Sequence, residues 1–158
     1  MNEHLVVVND RMKIEYQREA DMNKIVELKE KAKIGWASFI SFEALTSTAA
    51  PKLVEFANVK KGMKLLDVAC GTGVVALTAS RAGAHVEGVD LTPELISRAN
   101  ENSKIMGLEA NFIEGDAEFL PYDDRKFDVV VSQYGHMFAP RPEVVTKELA
   151  RVLKPGGT

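Results

Sequence analysis

Leu65-Leu66-Asp67-Val68-Ala69-Cys70-Gly71-Thr72-Gly73 is an apolar run that ends in a Gly-x-Gly turn, with one carboxylate set inside it. The helix-forming run Val74-Val75-Ala76-Leu77 follows directly. Strand, glycine turn and helix in that order mark a nucleotide-type site at the carboxyl end of a parallel strand. Glycines let the backbone approach a ligand closely, and the next helix N-terminus offers free N–H groups to an anion. Asp67 narrows the choice. A pyrophosphate sits badly beside it, whereas a ligand with positive charge sits well.

Outward from this stretch the same alternation repeats. Lys64 to Ala69 reads as a strand and Val74 to Ala82 as a helix. His85 to Val89 is a second strand, followed by a helix over Pro93 to Met106 with Thr92 as its cap and Pro93 at its first position. Asn111 to Glu114 and Phe127 to Ser132 are the third and fourth strands, and Pro142 to Leu153 is a further helix. Apolar strands alternating with helices predict an α/β, Rossmann-like, mostly parallel sheet with helices on both faces. About four strands are present. The last residues, Lys154-Pro155-Gly156-Gly157-Thr158, form a helix stop and a turn. We therefore expect an incomplete sheet with the fourth strand at its edge, and a possible homo-oligomer covering that edge.

Upstream, residues from about Asn9 to Lys33 are charged and rich in helix formers. Met22, Ile25, Leu28 and Ala32 make a narrow apolar stripe at helical spacing. Ile34 to Leu45 adds Trp36, Phe39, Ile40 and Phe42, and Thr46, Ser47 and Thr48 offer caps for a third helix that tolerates Pro51. The expected division is an N-terminal helical segment over 1–50 and a cofactor-binding core over 51–158.

The chain has 158 residues, 46% apolar and 27% charged, with a net charge of -3. One domain of that size buries a sizeable core. The charge gives no basic footprint for nucleic acid and no polybasic patch for a membrane. The longest apolar runs, such as Leu5 to Val8, are too short to cross a bilayer. A single cysteine, Cys70, excludes an internal disulfide framework and points to the cytoplasm. No His, Cys or carboxylate cluster has metal-ligand spacing.

Ligands of such a sheet lie outside the carboxyl ends of its strands. The first end supplies Asp67, Ala69, Cys70, Gly71, Thr72 and Gly73. The second supplies Asp90 and Leu91, and a carboxylate there can accept both hydrogen bonds of a ribose diol. The third supplies Asp116 and Ala117, and the fourth supplies Ser132, Gln133 and Tyr134. Gly71-Thr72-Gly73-Val74-Val75-Ala76 also fits the dinucleotide fingerprint, with Asp90 about twenty residues further on. An NAD-dependent oxidoreductase is thus one reading. Electrostatics weigh against it, since like charges about 4 Å apart repel by roughly 4 kcal/mol at an effective dielectric near 20. A non-catalytic binding or assembly module is a third reading.

LLDVACGTG, VEGVDLTPELISRA, GDAEFLPYDDRKFDVVVSQ and ELARVLKPGGT together resemble the successive motifs of class I S-adenosylmethionine-dependent methyltransferases. The resemblance covers about Leu65 to Thr158 and is closest to the small-molecule, ubiquinone/menaquinone-biosynthesis branch. It implies S-adenosyl-L-methionine as cofactor and a small-molecule methyl acceptor. Asp67 and the Gly71–Gly73 loop would hold the methionine part, lined by Ala69 and Cys70. Asp90 would take the ribose hydroxyls and Leu91 would pack on the adenine. Asp116 would accept from the adenine amino group, with Ala117 contacting the ring. Ser132 and Gln133 would lie near the ammonium and the methyl group. The chain departs from the family at Ala69, where a glycine is frequent, and in stopping before the fifth of seven strands. In the family the N-terminal helices form a lid, and Trp36 and Phe39 would belong to it. Methyl transfer is an in-line displacement needing chiefly alignment and exclusion of water. The sequence assigns no catalytic residue. His136 could face the pocket as a base and Tyr134 could line it, although a loop position explains both.

Overall fold

A computed structural model describes residues 10–158. The apolar run Leu5 to Val8 and the first residue of the predicted N-terminal helix lie outside them. Helix α1 (Asp10–Ala37) is continuous with a short 3-10 helix (Ser38–Phe42), α2 (Glu43–Ser47) and then α3 (Ala50–Phe56). Strand β1 (Lys64–Val68), α4 (Val74–Arg81), β2 (His85–Asp90), α5 (Pro93–Met106), β3 (Asn111–Glu114), β4 (Val129–Val131), a 3-10 turn (Gly135–Phe138) and α6 (Pro142–Val152) follow.

The strands form one parallel sheet in the order β3-β2-β1-β4. Continuous apolar stretches dictate this burial, because both faces are covered. On one face Leu65, Val86, Val129 and Val131 pack with Val54 of α3, Val75, Ala76 and Ala79 of α4, and Ala99 of α5. On the other, Leu66, Val68 and Val89 pack with Leu120, Phe127 and Val152. Successive strand residues face opposite ways, so Asp67 shares the α4 side with Leu65. The chain moves outward from β1 in both directions, to β2 on one side and β4 on the other. A crevice opens where strand order reverses in this way.

Several local expectations are corrected. The hydroxyls of Thr46, Ser47 and Thr48 do not cap α3. They donate to the carbonyls of Glu43, Ala44 and Leu45, three residues back. The three hydroxyls thus turn back onto the helix that precedes them rather than forward onto α3. Thr92 does hold the N-cap position of α5, yet its hydroxyl makes no capping bond and is buried without a partner. The Thr92 carbonyl instead accepts from Leu95 and Ile96. Strand β4 is shorter than predicted, because Asp128 turns its carboxylate onto the Lys64 N–H and Phe127 pairs with Leu153. Residues 152–158 also run along the outer edge of β4. Phe127 donates to the Val152 carbonyl, Lys154 donates to that of Phe127, and Thr158 bonds both Asp128 and Val130. The sheet edge is thus partly covered by the chain itself.

The predicted stripe on α1 turns inward only in part: Ile25 and Ala32 are half-buried, and Leu28 and Ala32 line the cavity described below. Met22 and Leu28 stay 45% and 47% exposed. The face turned toward the core carries Ile25, Lys29, Ala32, Lys33 and Trp36, so two lysines lie on the inner side. No helix among the described residues is long and apolar enough to cross a membrane.

Candidate functional site

The crevice at the carboxyl ends of β1, β2 and β4 holds a cavity of about 440 Å³, roofed by α1 and the 3-10 turn after β4. Its size is that of a small-molecule site. Of the residues singled out in the sequence, Asp67, Ala69, Cys70, Gly71, Thr72, Asp90, Leu91, Asp116, Ala117 and Gln133 line it, as do Trp36, Phe39, Tyr134 and His136. Gly73 and Ser132 do not. Ser132 is drawn into the loop, where its hydroxyl oxygen accepts from the His136 N–H at 3.2 Å.

The two glycines of the loop serve different ends. Gly71 has φ +55° and open space where a side chain would start. Gly73, with φ +81°, is the N-cap of α4, and a Cβ there would lie 2.7 Å from the ring of Phe112. The same ring lies 2.6 Å from the position of a Cβ on Gly88. Phe112 of β3 therefore imposes glycine at two points beneath the site.

Asp67 is buried and its Oδ2 accepts the Ala76 N–H at 3.0 Å. Ala76 is in the first turn of α4, so a strand carboxylate caps the following helix across the loop. Burial pushes the Asp67 carboxyl up to about 7; the Ala76 N–H opposes this and the Asp90 charge adds to it. The acid that favours a cationic ligand is thus also a structural cap. Asp90 fastens the loop from β2. Its Oδ2 accepts from Gly71 N–H at 2.8 Å and its Oδ1 from Thr92 N–H at 2.9 Å. Each oxygen keeps a second lone pair for a ligand. Burial pushes its pKa up, against those backbone bonds. The Cys70 thiol is buried beside both aspartates, which holds it well above its ordinary value. It is an inert lining group rather than a nucleophile.

Ala69 takes the left-handed conformation, φ 54°, that a glycine would adopt more readily. Its methyl group faces Gly135, where an added Cβ would meet it at 2.3 Å. The missing glycine of the β1 loop is thereby balanced by a glycine in the β4 loop. Tyr134, just before it, also has positive φ. Trp36 stands 4.9 Å from Phe39 and 4.8 Å from Phe138, forming an aromatic wall. Gln133 donates from Nε2 to the Thr46 carbonyl at 2.8 Å, while its Oε1 and the Nδ1 of His136 are buried without a partner.

Some residues that build the site were not singled out in the sequence. Asn102 of α5 donates to the Thr72 carbonyl at 3.1 Å and to Glu43 at 2.9 Å, joining the loop to α2. A signal existed, since Leu95, Ala99 and Asn102 share one helical face and an amide interrupts it. Glu118, 6% exposed, accepts the Arg141 backbone N–H on Oε1 and both Nε and Nη2 of Arg141 on Oε2. Lys29 reaches the same Oε2. Burial raises its pKa, but these cations prevail and hold it below the ordinary glutamate range.

Residues 65–157 match the methyltransferase domain family. An uncharacterized protein of Mycobacterium tuberculosis is 45% identical over 115 residues, covering 73% of this chain and 42% of that protein. The demethylmenaquinone methyltransferase of Staphylococcus saprophyticus is 37% identical over 123 residues, covering 76% of this chain and 52% of the enzyme. Among solved structures, the YcgJ protein of Bacillus subtilis superposes with a TM-score of 0.67 at 30% identity, over 70% of this chain and 47% of that one. The chain spans about half the length of the relatives it matches. Sequence match, sheet order and the glycine loop at the switch point agree: this chain belongs to the class I S-adenosylmethionine-dependent methyltransferase family.

Proposed function

We propose that this chain is the cofactor-binding part of a cytoplasmic S-adenosylmethionine-dependent methyltransferase acting on a small, apolar or aromatic acceptor. The observation that carries the reading is a cavity lined by four carboxylates, Glu43, Asp67, Asp90 and Asp116, together with the rings of Trp36, Phe39, Tyr134 and Phe138. Asp67, Asp90 and Asp116 suit a ligand with an ammonium, a diol and an exocyclic amine. Val74 and Val75, at the start of α4, line the cavity where a ligand carboxylate meets helix N–H groups. The lining thus fits S-adenosylmethionine and would repel a pyrophosphate.

The cofactor supplies an electrophilic methyl group on a sulfonium. The protein's own part is alignment. Asp90 and Asp116 fix the nucleoside end, and Asp67 with the loop fixes the charged end. Trp36, Phe39 and Phe138 exclude water and stack an acceptor ring. Gln133 and His136 line the cavity and are assigned here to orienting an acceptor hydroxyl or amine. The demethylmenaquinone methyltransferase among the relatives agrees with a small aromatic acceptor. No basic surface recommends nucleic acid, and a second copy of the chain against β4 remains part of the proposal.

Calorimetric titration with S-adenosylmethionine and, separately, with NADH tests it. Binding of the first alone supports the reading. Binding of NADH alone, or of neither, overturns it.

A further inference from the structure

Helix α1 lines the cavity with Leu28, Lys29, Ala32 and Trp36, and Lys29 is the charged side chain among them. Lys29 Nζ lies 2.6 Å from Asp116 Oδ2 and 2.5 Å from Glu118 Oε2. Its side chain is 13% exposed and that of Glu118 only 1%. Glu118 is held from behind by Arg141, 2.7 Å away. Arg141 in turn touches Met22 of α1 at 3.6 Å. Lys33, one turn beyond Lys29, adds a contact to Glu114 at 3.2 Å. The inner face of α1 is therefore fastened by charges to the end of β3 and the loop that follows it, at the rim of the cavity.

Asp116 is the crucial partner. Its Oδ1 accepts the Glu118 N–H at 2.9 Å and its Oδ2 accepts from Lys29. With both oxygens engaged, the carboxylate has one orientation, and the remaining lone pairs face the cavity it lines. Trp36 follows Lys29 by about two helical turns on the same helix and lines the same cavity. It is the only tryptophan of the chain.

We propose that Lys29 is a positioning residue that sets Asp116 and closes α1 over the cavity, so that ligand binding and closure of α1 are one coupled equilibrium. A ligand that uses Asp116 gains from the closed state, and the closed state forms only when Lys29 has its two carboxylates. The proposal rests on the cavity being the S-adenosylmethionine site, and the test separates the two.

Lys29→Met keeps the length of the side chain and removes its charge; Lys29→Arg keeps the charge. Lys31→Met, whose native lysine pairs only with Glu27 on the exposed side of α1, is the control. In the ligand-free proteins, Trp36 emission and hydrogen exchange of α1 report closure. Lys29→Met should shift Trp36 emission to longer wavelength and speed exchange over residues 15–37. Lys29→Arg should restore much of the native behaviour, and Lys31→Met should match the parent. In titrations with S-adenosylmethionine, Lys29→Met should weaken binding about tenfold, as for loss of a charge-assisted hydrogen bond that is partly shielded from water. Unchanged emission and exchange in ligand-free Lys29→Met overturns the proposal. So does opening of α1 with no loss of affinity. If the parent protein binds no S-adenosylmethionine, the proposed function fails, while the ligand-free arm still decides whether Lys29 closes α1.

Discussion

On the sheet side of the cavity, carboxylates are held by backbone N–H groups: Asp67 by Ala76, Asp90 by Gly71 and Thr92. On the α1 side, Asp116 and Glu118 each accept one backbone N–H as well, and long side chains add a second hold: Lys29 on both, and Arg98 with the Asn102 amide on Glu43. The first kind of bond costs little further entropy once strands and helix have formed. The second needs flexible side chains to be ordered, and salt screens it. One wall is held by the backbone alone; the other adds side-chain ties between α1, α2 and the loops around the sheet.

The largest expected effect tests the first wall through pH. The Asp67 carboxyl sits near 7 in the fold against 3.8 unfolded, so the native state binds the extra proton between those values. Stability from this group therefore falls as pH rises from about 4 to 7, by on the order of 4 kcal/mol at about 1.4 kcal/mol per pKa unit. Glu118, Asp128 and Glu148, held below their ordinary values, slope the other way. The measurement is thus a difference. Denaturant unfolding of the parent and of Asp67→Asn, compared across that range, should diverge with pH, and parallel curves would place the proton elsewhere. A cationic ligand should also bind more tightly as pH passes 7.

Next comes Asp90→Ala, which strands the N–H groups of Gly71 and Thr92 together. About 3 kcal/mol of stability should go, a fall in Tm of roughly 6–12 °C. Scanning calorimetry checks it; a fall no larger than that of a surface substitution would erase the contrast between the walls. Gly135→Ala should cost about 1–3 kcal/mol by overpacking against Ala69, and adding Ala69→Gly should restore part of it. Additive effects in that double-variant cycle would show that the two loops do not share a contact. Smallest is Arg98→Met on the fastened wall. The pair it breaks with Glu43 is 3.3 Å long and partly exposed, so Tm should move by no more than about 1 °C.

The same contrast explains what the sequence made legible. Parallel strands, their order of use and the Gly-x-Gly turn follow from local apolar runs and local turn chemistry, which need no distant partner. The helix over Pro93–Met106 and the strand Asn111–Glu114 were readable to the residue for that reason. The fastened wall was not. Lys29 finds Asp116 across 87 residues, and nothing near Lys29 distinguishes it from the other lysines of α1. The apolar stripe of α1 caught Ile25 and Ala32 of the inner face but not Lys29 and Lys33, because counting apolar residues cannot see a lysine turned inward to an acid. Thr46, Ser47 and Thr48 were misread because a hydroxyl can serve either the helix ending before it or the one starting after it. Asp67 was read chiefly for its charge, with a cap or turn carboxylate as the lesser reading, and its bond to the start of α4 shows that it is a cap.

Phe112 gives the glycine motif a second meaning. A variant at Gly73 or Gly88 that loses ligand binding would ordinarily be taken as proof that those residues touch the ligand. Here the clash is with a phenyl ring of β3 on the side away from the cavity. A Gly88 variant should be relieved by trimming Phe112; one at Gly73, whose φ of +81° strains any side chain, should be relieved only in part, and one at Gly71, where no side chain waits, not at all. Gly71 and Gly73 of one loop should thus differ in their second-site suppressors, one answering to the ligand and the other partly to the interior.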